Sequence, residues 1–190
     1  MEVNMAAKIE PLLTVADLDL CPDDNNRYEL IDGELFVSRA PRLPHQLVLQ
    51  HLQVILGNYL ETNPIGIVVP GAGAIFSDHD AVIPDLVVVR KEHWDKIVAD
   101  DKFVGAPDLV IEVLSPGPEN KQRDLVVKRQ LYAKYGVEEY WVVDVQNRSV
   151  LIHRLRDQNL EEIAVLRDDD EITSPILPGF QLKVRTVFSL

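Results

Sequence analysis

The sequence predicts an α/β fold in which a central mixed β-sheet is flanked by helices. Three observations carry that expectation. Two apolar runs, Pro84-Asp85-Leu86-Val87-Val88-Val89 and Ala106-Pro107-Asp108-Leu109-Val110-Ile111-Glu112-Val113-Leu114, have the continuous hydrophobicity of strands buried on both faces. A helical pattern follows, with Leu125, Lys128, Tyr132 and Tyr135 on one face between Asn120 and Tyr135. Strand character then returns at Glu139–Val145, after Gly136. A chain of 190 residues without repeats or a linker is expected to form one domain over 1–190.

In chain order, Pro11–Leu20 carries a short amphipathic pattern with Thr14 as its N-cap. Arg27–Ser38 reads as a hairpin closed by a type I′ turn at Asp32-Gly33. Pairing Ile31 with Glu34 puts Tyr28, Leu30, Leu35 and Val37 on one apolar face, and Glu29, Glu34, Ile31 and Phe36 on the other. Pro44 starts a helix that is apolar through Leu60 and bears His45 and His51. Short strands at Ile65–Pro70 and Ala72–Ser77 lead into the Pro84 run, with Asp78-His79-Asp80 in a turn. Lys91–Gly105 reads as an irregular connection, Ser149–Leu155 as a strand, Glu161–Val165 as a hairpin, and a last strand ends at Val187.

Composition excludes several functions. No stretch approaches the ~18 uncharged apolar residues of a membrane span, and no signal peptide is visible, so a cytoplasmic location is expected. A single cysteine, Cys21, rules out an internal disulfide and a cysteine-rich metal site. Phosphate-binding GxxxxGK[ST] loops, GxGxxG turns and HExxH helices are absent. The net charge of −12 opposes a phosphate-gripping surface, but the charge is uneven. From Glu119 to Lys134 five Lys or Arg face two acids, a local balance of +3, and Lys121, Arg123 and Arg129 there are the candidate nucleic-acid contacts.

Glu112 lies in the middle of an apolar strand, where a carboxylate must be protonated, paired or bound to a cation. Its partner is chosen by distance. Asp108 shares its face but at roughly 3.3 Å per residue lies about 13 Å away. Asp85, on a neighbouring strand at roughly 4.8 Å spacing, can share a cation with it. Lys128 either faces the sheet among the apolar residues of its helix or snorkels along the helix edge.

These segments resemble the Uma-two family of restriction endonucleases, within the PD-(D/E)XK nuclease superfamily. The likeness runs through Tyr28-Glu29-Leu30-Ile31-Asp32-Gly33-Glu34-Leu35, Pro84-Asp85-Leu86, Gly105 to Pro116, Asp124 with Lys128, Tyr132, Gly136-Val137, Glu139 to Asp144 and Leu177-Pro178-Gly179-Phe180. It implies a restriction-endonuclease-like fold and Mg²⁺- or Mn²⁺-dependent hydrolysis of nucleic acid, with DNA the expected substrate. By the same resemblance Asp85 and Glu112 are metal ligands and catalytic residues. Lys128 replaces the lysine of the Glu-x-Lys pattern, whose place is taken by Leu114. An upstream acid completes such sites; Glu34, beside the turn, is preferred here over Glu29, the alternative being that both are solvent-facing. His45 is the more interesting of the two helix histidines. Removing the Lys128 ammonium is expected to cost little stability. A homodimer or larger homo-oligomer is expected. The rival reading is a catalytically silent member that binds a protein partner as an oligomer.

Overall fold

The computed structural model describes residues 11–189. Thr14 caps helix α1 (Val15–Leu18) and closes a capping box with Asp17. The predicted hairpin follows as β1 (Asn26–Ile31) and β2 (Glu34–Arg39), with Ile31 opposite Glu34 and Glu29 opposite Phe36. Its turn needs left-handed backbone at Asp32 (φ 49°) and Gly33 (φ 77°), as a two-residue primed turn does. Pro44 opens the 20-residue α2 (Leu43–Thr62), whose buried residues Val48, Leu49, Leu52, Leu56 and Leu60 recur at helical spacing.

The strands β3 (Gly66–Pro70), β4 (Ala74–Ser77), β5 (Asp80–Val82) and β6 (Leu86–Arg90) come next. Between β6 and β9 (Leu109–Val113), the stretch read as irregular holds helix α3 (Lys91–Ile97) and a small hairpin of β7 (Val98–Ala99) and β8 (Lys102–Phe103). The basic helix is three pieces: α4 (Pro118–Gln122), a π-helical turn at Arg123–Val127, and α5 (Lys128–Tyr135), which Gly136 ends in the left-handed conformation at φ 85°. The chain finishes with β10 (Glu139–Asp144), β11 (Ser149–Arg156), β12 (Asn159–Arg167), β13 (Glu171–Ile172), β14 (Leu182–Lys183) and α6 (Val184–Val187). Glu161–Val165 is therefore part of one long strand paired with β11, not a hairpin. The last strand ends early, giving way to a helix that buries Val184 and Val187.

The central sheet has the order β12-β11-β10-β9-β6-β3; β9 and β10 are parallel and the other neighbours antiparallel. Beside the single central sheet that the sequence predicts, the chain forms a second six-stranded sheet, β2-β1-β5-β4-β8-β7. It arises because Ile31 and Phe36 of the hairpin pack inward with Val87, Val110 and Val142 of the central sheet. Strand alternation divides the core accordingly. Leu86, Val88, Leu109, Ile111 and Val113 face α2 and α6, whereas Val87, Val89, Val110 and Val142 face α5 and the second sheet. Asp85 and Glu112 fall on the second face by the same parity.

Candidate functional site

The register of β6 against β9 sets Leu86 opposite Ile111, which brings Asp85 beside Glu112. The carboxylates reach across the pair: the Val113 N–H, next to Glu112, donates to Asp85 Oδ2 at 2.9 Å, and the Asp85 N–H approaches Glu112 Oε2 at 3.4 Å. The two acids are adjacent, on one face, and only 4% and 3% exposed. Asp108 is held elsewhere, by the Arg90 backbone N–H and guanidinium, and fastens the start of β9.

Lys128 does not snorkel. Its ammonium is 2% exposed and lies 2.9 Å from Glu112 Oε1 and 2.8 Å from Glu29 Oε1. The π-helical turn just before it carries Asp124 inward as well, so the helix turns both Asp124 and Lys128 toward the sheet. The Tyr132 hydroxyl, one turn further on, donates to Glu112 Oε1 at 2.7 Å. Asp85 is gripped from two sides, by Arg27 Nη1 at 3.0 Å on Oδ1 and His45 Nε2 at 3.0 Å on Oδ2. His45 Nδ1 is buried without a partner among the described residues. Together Arg27, Glu29, His45, Asp85, Glu112 and Lys128 wall a polar cavity of ≈ 30 Å³, room for a water-sized occupant.

The hairpin acid that reaches the cavity is Glu29, not the Glu34 preferred from sequence. Glu34 is exposed on the edge strand β2 and does not line the cavity. Glu29 lies on β1, inside its sheet between β2 and β5, and takes the Ile83 N–H at 2.9 Å as well as Lys128. On the hairpin face read as apolar Leu30 is fully buried but Leu35 is 39% and Val37 52% exposed; on the other face Glu29 and Ile31 turn inward. Arg27, two residues before Glu29, shares that face; the same alternation that flags Glu29 would have flagged it.

The basic helix is not a free cationic strip. Lys121 pairs with Asp144 at 3.4 Å, Arg123 with Asp124 at 2.9 Å, and Lys134 with Asp32 and Asp80 at 2.8 and 2.9 Å. Arg129 does not line the cavity. Of the three residues expected to meet nucleic acid, only Arg123 borders the acid cluster.

Electrostatics mark the cluster as richer in carboxylate than its cations neutralise. Burial pushes Asp85 up, but the hydrogen bond and charge of His45 and the Val113 N–H outweigh it and hold the carboxyl well below the usual range. Glu112 goes the other way. Burial, with Asp85, Asp124 and Glu29 nearby, overcomes the pull of Lys128 and pushes it up to about 8. Burial also raises Asp124, against Lys128 and Arg123. Burial opposes the Lys128 charge, yet Glu112, Glu29 and Asp124 hold the ammonium well above its ordinary value.

Among the described residues no group of three or more His, Cys, Asp or Glu side chains is arranged to hold a metal ion. The oxygens of Asp85 and Glu112 face protein donors. No helix among the described residues is long and apolar enough to cross a membrane.

A mixed sheet presenting two adjacent acids, flanked by a helix-borne ammonium, defines a nuclease-like α/β fold. Among solved structures, one titled a "putative nuclease belonging to DUF820 from Anabaena variabilis ATCC 29413" superposes with a TM-score of 0.77 at 21% identity, covering 93% of this chain and 97% of that one. The chain belongs to the Uma2 family, described as "Putative restriction endonuclease", whose profile matches residues 15–185. No curated protein matches the chain.

Proposed function

We propose that the protein is a Mg²⁺- or Mn²⁺-dependent endonuclease that hydrolyses phosphodiester bonds in DNA. The observation that carries this reading is the side-by-side burial of Asp85 and Glu112 with the Lys128 ammonium against Glu112. Hard carboxylate oxygens in an acid-rich cluster suit Mg²⁺, which takes one or two carboxylates and substrate phosphate rather than an all-protein cage. Asp85 and Glu112 would hold the ion, with Glu29 lining the same cavity. A bound ion would supply Lewis acidity toward a phosphate oxygen and a water of lowered pKa.

The chain's own residues do the rest. Tyr132 and Lys128 occupy Glu112 Oε1, leaving Oε2 turned toward Asp85. His45 and the Val113 N–H fix Asp85 Oδ2 and keep the carboxylate ionised. Lys128, held charged and out of bulk water, offsets negative charge that develops on phosphate in the transition state.

One observation favours the rival, catalytically silent reading: Arg27, His45 and Lys128 already pair the acids. Plasmid cleavage in Mg²⁺ or Mn²⁺, with calorimetric titration of the same ions, decides between them. The nuclease reading expects metal-dependent cleavage that Asp85→Asn and Glu112→Gln abolish along with metal binding. Wild-type protein that neither takes up the ions nor cleaves DNA would refute it.

A further inference from the structure

The acid cavity shares a lining arginine with each of two grooves, and the three make up a candidate trough. Arg27 and Asp85 also line a groove of ≈ 370 Å³ with Pro70, Gly71 and the α2 glutamines Gln46, Gln50 and Gln53. On the other side, Arg123 also lines a groove of ≈ 510 Å³ with Phe36, Asn120 and Gln122. Each flanking groove thus meets the acid cavity at one arginine.

Resting on the nuclease reading, we propose that a single strand of nucleic acid lies along this trough. Arg27 and Arg123 hold the phosphates on either side of the bond at the acids, and the glutamine face of α2 meets unpaired base edges. Two features favour a strand over a duplex. The acids are recessed, Glu29, Asp85 and Glu112 being 2%, 4% and 3% exposed behind a cavity with room for a water-sized occupant, so a backbone must press closely against its mouth, which an unpaired strand does more readily than a duplex. The cations here are few and paired, Lys121 with Asp144, Lys134 with Asp32 and Asp80, and the two trough arginines Arg27 and Arg123 with Asp85 and Asp124, so a duplex's many phosphates would meet no run of free charge among these residues.

The amides fit the remainder of the task. Gln46, Gln50 and Gln53 are exposed and recur at i, i+4 and i+7, so they form one uncharged face beside Arg27. Amide side chains donate and accept together, which matches the edges of unpaired bases. Gly71, at φ +60° with no atom within 4 Å of a Cβ position, leaves the opposite wall open. Arg27 is part-exposed at 30%, and its guanidinium can serve a phosphate while staying beside Asp85.

Few phosphates should be neutralised. With about two contacts on a single strand, the log–log salt slope should be about −1.4, far shallower than for a duplex-tracking protein. Fluorescence anisotropy with a labelled single-stranded oligodeoxynucleotide and its duplex, in Ca²⁺ to suppress cleavage, measures it. The single strand should bind the more tightly. Arg27→Gln should weaken binding at least several-fold and flatten the slope by about 0.7. Arg123→Gln uncovers the buried Asp124, so the trough is also tested by a surface change: Gln50→Lys should steepen the slope by about 0.7 and Gln50→Glu should weaken binding. Arg129→Gln, outside the trough, should change neither.

Wild-type cleavage with unchanged affinity and slope in Arg27→Gln and both Gln50 variants would overturn the trough while sparing the nuclease reading. Tighter duplex binding with a steep slope would do the same. Wild-type protein that binds neither oligonucleotide and cleaves nothing would overturn both.

Discussion

Replacing Lys128 by Met keeps most of the side-chain volume and removes only the ammonium. Two buried carboxylates then lose their cation: Glu29, 2.8 Å away, and Glu112, 2.9 Å away, with side chains only 3% and 4% exposed. Breaking a buried ion pair from one side costs about 3–5 kcal/mol, because the acid left behind stays desolvated. In a chain of this size each kcal/mol lowers Tm by about 2–4 °C, so the loss should be about 6–20 °C at pH 8. The expectation from sequence was a small cost, because removing an inward ammonium near carboxylates relieves its desolvation; contacts of 2.8 and 2.9 Å to two buried acids argue instead for a large one. The deficit should shrink toward pH 5. In the variant Glu112, already pushed up by burial, loses the downward pull of Lys128 and rises further in the folded state, so the folded protein takes up a proton that the unfolded chain does not, and acid stabilises it. Adding Glu29→Gln should restore part of the loss, and a double-mutant cycle gives the coupling. Thermal unfolding by circular dichroism at both pH values reads all of this. A Tm for Lys128→Met within about 2 °C of wild type at pH 8 would refute the reasoning.

Glu34→Gln should leave stability within about 0.5 kcal/mol of wild type and Mg²⁺ affinity unchanged, because Glu34 is exposed on β2. Glu29→Gln should change both, as seen by urea unfolding and calorimetry. The metal-free protein should lose stability as pH rises from about 4.5 to about 8, because folded Glu112 keeps a proton that the unfolded chain has released. Glu112→Gln should remove that decline, and an identical pH profile in the two proteins would contradict the upward shift. Tyr132→Phe should cost about 1–3 kcal/mol in urea unfolding, since Glu112 loses a buried 2.7 Å hydrogen bond; a neutral result would mean that Glu112 finds another donor.

Local pattern in the sequence determined the elements that build the site. Apolar runs opened by Pro84 and Pro107, the Asp32-Gly33 turn, Pro44 at the start of α2 and the stop at Gly136 are short-range signals, and each stands where its chemistry places it. Strand spacing alone separated Asp85 from Asp108 as the neighbour of Glu112, because rise along a strand and distance across a sheet are fixed by backbone geometry. What local pattern does not contain is which side of an element another element covers. Alternation grouped Glu29 with Glu34, Ile31 and Phe36 on one face of the hairpin, but it does not say which of the two acids is covered, and Glu34 beside the turn was preferred to Glu29. Only the joining of β1 to β5 and its packing over the central sheet turned Glu29 inward. The basic helix shows the same limit. Its composition advertised free cations, whereas the partners that neutralise them, Asp32, Asp80 and Asp144, come from distant segments. Buried charge is settled by whatever the fold brings within a few ångströms, and that is a property of tertiary structure.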